Sequence, residues 1–134
     1  MRDFTHRLTL KVRDYECDIQ GVVNNSVYQQ YLEHARHEFL RVKGVDFAEL
    51  ARKKIHLVVV RAELDYKKSL LPGDEFWVET CIERSSKIRF VFLQGIYRSG
   101  DDALVLQAKI TGTSLNERGR PFISPDMLKL FELS

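Results

Sequence analysis

Between Val27 and Val42 runs an apolar stripe at helical spacing, and this stripe, more than any motif, limits the folds open to the chain. Tyr28, Tyr31, Leu32, Ala35, Phe39 and Val42 recur at three- and four-residue intervals, while Gln29, Gln30, Glu33, Arg36, His37 and Arg41 fill the opposite face. The spacing predicts one long amphipathic helix. Asn24, Asn25 and Ser26 stand before it as N-cap residues whose side chains accept from the first free N–H groups, and Gly44 follows as a left-handed stop. A short helix is expected over Asp46 to Lys54, capped by Asp46.

Everything after that reads as strand. His56 to Tyr66, Glu75 to Glu83, Ile88 to Tyr97 and Ala103 to Leu115 are rich in β-branched and aromatic residues, separated by short turn-like stretches such as Leu71-Pro72-Gly73-Asp74. Short turns imply antiparallel neighbours. With Thr5 to Val12 as a first strand, the order is strand, long helix, four strands. This is an α+β arrangement, with a five-stranded antiparallel sheet wrapped around one helix in the hotdog order. Ile88, Phe90, Phe92 and Ile96 share one face of their strand while Val91, Leu93 and Tyr97 share the other, so that strand is expected to be covered on both sides. One helix covers only one face, and a homo-oligomer, dimer or tetramer, is expected to cover the rest.

The 134 residues suit a single domain, 1–134, without repeats or a linker. Twenty-one basic against nineteen acidic side chains leave a formal charge of +2, no footprint for nucleic acid. Cys17 and Cys81 form no C-x-x-C pair, so neither zinc nor a disulfide framework is signalled and a reducing cytoplasm fits. Charged residues occur throughout Met1 to Val12, and no stretch nears the ~18 apolar residues of a membrane helix, so neither a leader nor a membrane span is expected.

The stretch from Arg13 to Tyr28 carries the chemistry. It places an acid, Asp18, a few residues before a helix start. The first N–H groups of a helix lack internal partners and sit at the positive end of its dipole, so they can receive a developing oxyanion. A nearby carboxylate can attack or activate water, and Gly21 permits a tight bend between the two. The same acid would serve equally as a turn or cap residue, and spacing alone does not decide.

Asp18, Gly21, Val22, Val23, Asn25 and Tyr28, followed by Tyr31, Glu33, Ala35 and Arg36, resemble the signature of the 4-hydroxybenzoyl-CoA thioesterase-like hotdog family. Asp14-Tyr15-Glu16, Gly21 to Asn25, Val27-Tyr28 and Arg36-His37-Glu38 most resemble its acyl-ACP and acyl-lipid thioesterase branch in plants and cyanobacteria. The resemblance implies hydrolysis of an acyl-CoA or acyl-ACP to free acid and thiol, without metal or redox cofactor. It places the nucleophile or general base on Asp18 and the oxyanion donor on the backbone N–H of Asn25. Many relatives carry an aromatic or His residue where this chain has Asn24 or Asn25, which bears on acyl preference but leaves an N–H in place. Gly21, Val23, Asn24 and Tyr28 would line the substrate site. Arg84 and Lys87 flank the turn between the third and fourth strands and are candidates for phosphate or carrier contact, with Lys67 and Lys68 a weaker second basic pair. A thiolate leaves readily, its parent thiol having a pKa near ~8.5, so no His acid is obligatory. His34 and His37 lack the H-E-x-x-H spacing of a zinc site. The rival reading is a non-catalytic hotdog that holds acyl chains or acyl carrier protein. A hotdog dehydratase would need a His and acid pair that this helix start does not offer.

Overall fold

The computed structural model describes residues 6–132. Its elements in order are β1 (His6–Lys11), a 3-10 turn (Asp14–Glu16), α1 (Asn25–Val42), α2 (Phe47–Arg52), β2 (His56–Tyr66), β3 (Glu75–Arg84), β4 (Phe90–Arg98), β5 (Leu104–Leu115), β6 (Pro121–Phe122) and α3 (Pro125–Glu132). Thr5, expected to open the first strand, lies outside the described residues.

Both helix starts follow from their caps. Asn24 Oδ1 accepts from the Ser26 N–H at 3.0 Å, and Asp46 Oδ1 accepts from the N–H groups of Ala48 at 3.0 Å and Glu49 at 3.2 Å. Gly44, at φ +92°, ends the long helix as its position predicts. Asn24→Ala is expected to cost about 1 kcal/mol of stability, read as a lower denaturant midpoint with unchanged slope.

The strands form one antiparallel sheet in the order β1-β3-β4-β5-β2, with β6 added beside β5. The sheet therefore has six strands where five were expected. Asn116 Oδ1 accepts from the N–H groups of Arg118 and Arg120, and this tight turn folds Pro121–Phe122 back onto Ser114 and Leu115. The C-terminal α3 is a second departure from the strand-only reading. Proline opens it, and its Met127 and Leu130 join the core. The fourth expected strand also starts late. Ser86 Oγ accepts from the N–H groups of Ile88 and Arg89, so Ile88 stays in the turn and is exposed.

Register sorts the sheet into two faces. Phe76, Val78 and Thr80 of β3 stand opposite Arg98, Ile96 and Gln94 of β4, so Phe76, Val78, Thr80, Gln94, Ile96 and Phe92 share the face that meets α1. Phe39 packs edge-on against Phe92 with ring centres 6.2 Å apart, and Tyr31 leans on Phe76 at 4.7 Å. The opposite face is mixed in character. There Trp77 stacks on Tyr97 at 5.3 Å and Arg7 pairs with Glu79, while Val91 is buried and Leu93 and Tyr97 are half-buried. Residues buried on the helix side form one core with the apolar side chains of α1, α2 and α3.

Between Val59 and Arg61 the β2–β5 register slips by one residue, a bulge opposite Gly112. A Cβ on Gly112 would lie 2.9 Å from the Val58 carbonyl oxygen and 2.8 Å from Phe90 Cε1. Backbone cannot give way as a flexible side chain does. Gly112→Ala is therefore expected to destabilise by roughly 1–3 kcal/mol, read as a lower midpoint in denaturant unfolding. A neutral result would mean that the strands open at the bulge without cost.

Candidate active site

The chain between β1 and α1 is folded back on itself. Cys17 and Val23 form an antiparallel bridge, and the Asn24 N–H donates to the Glu16 carbonyl at 3.1 Å. Asp18 to Val22 close the loop beyond them. The Asp18 N–H donates to the Val22 carbonyl at 2.8 Å, and the Gly21 N–H donates to the Asp18 carbonyl at 3.0 Å. Gly21 turns the corner at φ +80°, where a side chain would be strained. This hairpin returns Asp18, seven residues before Asn25, to the helix start.

The two carboxylate oxygens of Asp18 stand in different settings. Its Oδ1 accepts from the Gln20 N–H at 2.9 Å and more weakly from the Val22 N–H at 3.4 Å, so it is the turn residue that a plain reading suggests. Its Oδ2 makes no hydrogen bond among the described residues. Asp18 is half-buried and lines a cleft of about 420 Å³ together with Val23, Asn24, Asn25, Tyr28 and Tyr66. Asn25 is the first residue of α1, and its N–H has no partner among the described residues.

The supports of this loop are polar groups carried by the half-buried Glu16 and by the buried Tyr28, Tyr31 and Leu70. Glu16 Oε1 accepts from the Tyr31 hydroxyl at 2.7 Å and from the Arg13 N–H at 2.8 Å, tying the loop to the second turn of α1. Burial first, and then the Glu16 carboxylate that accepts its hydrogen bond, push the Tyr31 hydroxyl pKa far above its ordinary value. It remains a donor. Tyr28 accepts the Leu70 N–H on its hydroxyl at 2.9 Å, and burial raises its pKa. The Val23 N–H donates to the Leu70 carbonyl at 3.0 Å, so Leu70 braces both walls. Burial and the carboxylates of Asp14, Asp18 and Glu16 raise the Cys17 thiol, which suits a packing residue better than a nucleophile.

The structure thus brings Asp18, Val23, Asn24, Asn25 and Tyr28 to one cleft, with Gly21 shaping the loop behind them. It does not bring Arg84 and Lys87 there. The Arg84 guanidinium turns onto its own hairpin, donating to the Ser86 carbonyl at 3.0 Å and the Lys87 carbonyl at 3.3 Å. The basic residues that do line the cleft are Lys67 and Lys68, just past the end of β2, and Tyr66, the last residue of that strand, lines it beside them. Tyr66, whose ring lies 5.7 Å from Tyr28, escaped sequence reasoning because only the β2–β5 register carries it there. His37 packs against the Phe47 ring, and His34 is exposed. Among the described residues no cluster of three or more His, Cys, Asp or Glu could hold a metal ion, and no helix is long and apolar enough to cross a membrane.

A long helix held in a curled antiparallel sheet, with an acid looped back to the helix start, is the architecture of a hotdog protein of the α+β class. The chain belongs to the thioesterase-like superfamily, which matches residues 12–131. It is 36% identical over 124 residues to the acyl-acyl carrier protein thioesterase ATL3, chloroplastic, of Arabidopsis thaliana, covering 92% of this chain and 65% of that protein. The chain thus spans slightly under two thirds of that relative's length. A solved structure of a hypothetical protein from Aquifex aeolicus shares 30% identity at a TM-score of 0.85, over 94% of this chain and 98% of that one. A mutant 4-hydroxybenzoyl CoA thioesterase solved with 4-hydroxybenzoyl CoA has a TM-score of 0.85 at 20% identity, over 94% of this chain and 97% of that one; it shows the shared fold.

Proposed function

We propose that the chain hydrolyses an acyl thioester of coenzyme A or acyl carrier protein, giving a free carboxylic acid and a thiol. The observation that carries this reading is the unsatisfied Oδ2 of Asp18 in the same cleft as the unpartnered Asn25 N–H. Asp18 acts on the thioester carbonyl carbon, either by direct attack, giving a mixed anhydride that water then opens, or by taking a proton from the attacking water. In both routes the carbonyl oxygen gains negative charge at the N-terminus of α1, where the Asn25 N–H and the helix dipole stabilise it. The carbon–sulfur bond breaks and the electron pair leaves on sulfur. The acyl chain lies along α1, and Lys67 and Lys68 favour an acidic carrier at the mouth.

A second copy of the chain completes this reading. Ile19, beside Asp18, is fully exposed, and Val59 and Val60 are exposed on β2, an edge strand of the sheet. A homo-oligomer would cover apolar side chains at the cleft and at that edge. Cys17 and Cys81 form no disulfide among the described residues, which suits a reducing compartment such as the cytoplasm.

The test is thiol release, followed with a disulfide reagent, from aliphatic and aromatic acyl-CoAs and an acyl-ACP. Multiple turnovers support hydrolysis. Saturable binding without thiol release would make the protein a carrier of acyl chains, and water addition to an enoyl thioester would make it a dehydratase.

A further inference from the structure

Glu16 and Tyr31 take no part in the chemistry proposed above, and neither is among the residues that line the Asp18 cleft. Yet the Glu16 side chain is only 11% exposed and Tyr31 only 5%. A carboxylate taken so far out of water is costly to keep unless hydrogen bonds replace the lost hydration. Here they do. Glu16 Oε1 accepts from the Tyr31 hydroxyl at 2.7 Å and from the Arg13 N–H at 2.8 Å, and Oε2 lies 3.8 Å from Arg13 Nε. The first of these runs from a hydroxyl to a carboxylate, the charge-assisted kind that is stronger than a bond between neutral groups.

Glu16 is fastened to α1 a second time through its backbone. Its carbonyl accepts from the N–H of Asn24, the cap residue that precedes Asn25, while its carboxylate reaches Tyr31 in the second turn of the helix. Asp18 stands two residues further along the same arm. Tyr31 cannot follow the loop, because its ring leans on Phe76 of β3 at 4.7 Å and meets Tyr28 edge-on at 6.2 Å. The bonds within the hairpin, from the Asp18 N–H to the Val22 carbonyl and from the Gly21 N–H to the Asp18 carbonyl, fix its shape. Its setting against the helix comes from Glu16 on the outgoing arm and from the bond between the Val23 N–H and the Leu70 carbonyl on the return.

We infer that Glu16 and Tyr31 are positioning residues: their hydrogen bond sets the Asp18 carboxylate against the Asn25 N–H and so controls the rate of the chemical step without touching the substrate. A misplacement of about 1 Å at reacting groups can cost ~10²-fold in rate, so a bond that holds the acid-bearing arm to the helix has catalytic consequences beyond its share of stability. The inference rests on the thioesterase reading and adds to it the residues that place its acid.

The experiment measures kcat and KM for thiol release, together with amide hydrogen exchange at Asp18, Gly21, Val23 and Asn24, in the native protein and three variants. Tyr31→Phe keeps the ring and loses only the hydroxyl. It is expected to lower kcat at least ~10-fold with KM within about 2-fold, and to reduce the protection of the four amides at least ~10-fold. Glu16→Ala removes the other partner and carries the same test if Tyr31→Phe does not fold. Glu16→Gln offers an amide oxygen that can still accept from the Tyr31 hydroxyl and the Arg13 N–H, and should keep kcat within about 3-fold of native. Gly112→Ala is the control for a fold that is merely softened, since its clash with the Val58 carbonyl lies near the start of β2 and the cleft lies at that strand's far end; it should leave kcat and the four amides unchanged. A kcat within about 2-fold of native in Tyr31→Phe, a loss carried by KM, an equal fall in Gly112→Ala, or a fall in kcat with unchanged exchange overturns the positioning role. The two failures are distinct. No thiol release by the native protein sinks hydrolysis and this role with it, whereas native turnover that survives Tyr31→Phe sinks the positioning role alone.

Discussion

Phe39→Ala is expected to destabilise the protein by roughly 3–5 kcal/mol, lowering the melting temperature by about 10–20 °C. Phe39 is 1% exposed and sits in the penultimate turn of α1. Its ring meets Phe92 and His6 edge-on at 6.2 Å, and Lys43 Nζ lies 5.9 Å from the ring centre. The side chain is the point at which the helix is fastened to β4, so truncation removes the transfer free energy of an aromatic ring and leaves a cavity between two rigid layers. A domain of this size has only about 5–15 kcal/mol of stability, so the loss is a large fraction of it. Equilibrium unfolding in denaturant is the check. A cost below about 1 kcal/mol would contradict the packing of α1 against the sheet.

Local signals carried much of this architecture. The stripe from Tyr28 to Val42, the caps Asn24 and Asp46 and the stop at Gly44 act over three or four residues, and each lies where its spacing predicts. The main strands were legible for the same reason, since alternation and turn chemistry are local. Two short C-terminal elements were not read. Pro121–Phe122 pairs with only two residues of β5, too few to show alternation. The last helix begins Ser124-Pro125-Asp126, a start signal, but runs only eight residues and owes its place to the burial of Met127 and Leu130 in a core assembled from distant strands.

The candidate site divides along the same line. Asp18, Gly21 and Asn25 lie within eight residues of one another, and a hairpin brings the acid to the helix start, so the motif could be read from the chain. Basic side chains at turns looked alike in sequence. Arg84 has carbonyl partners in its own turn, whereas Lys67 and Lys68 reach the cleft because β2 pairs with β5 at the sheet edge. No spacing rule reports a sheet order of β1-β3-β4-β5-β2, or the meeting of Arg36 with Gln94 across 58 residues.

The largest functional effect is expected at Asp18. In Asp18→Asn the amide oxygen can still accept from the Gln20 and Val22 N–H groups, so the loop and the cleft should persist. What is lost is the negative charge and basicity of the carboxylate, and with it both attack on the carbonyl and deprotonation of water. General-base catalysis alone typically contributes 10²–10⁴-fold, so thiol release should fall by at least ~10²-fold, with kcat affected far more than KM. The decisive measurement is thiol release by native protein and Asp18→Asn side by side, each verified as folded by its melting temperature. A collapse of at least ~10²-fold in the folded variant is the predicted result. Equal rates in the two proteins would contradict the role of Asp18 and move the chemistry to another part of the molecule.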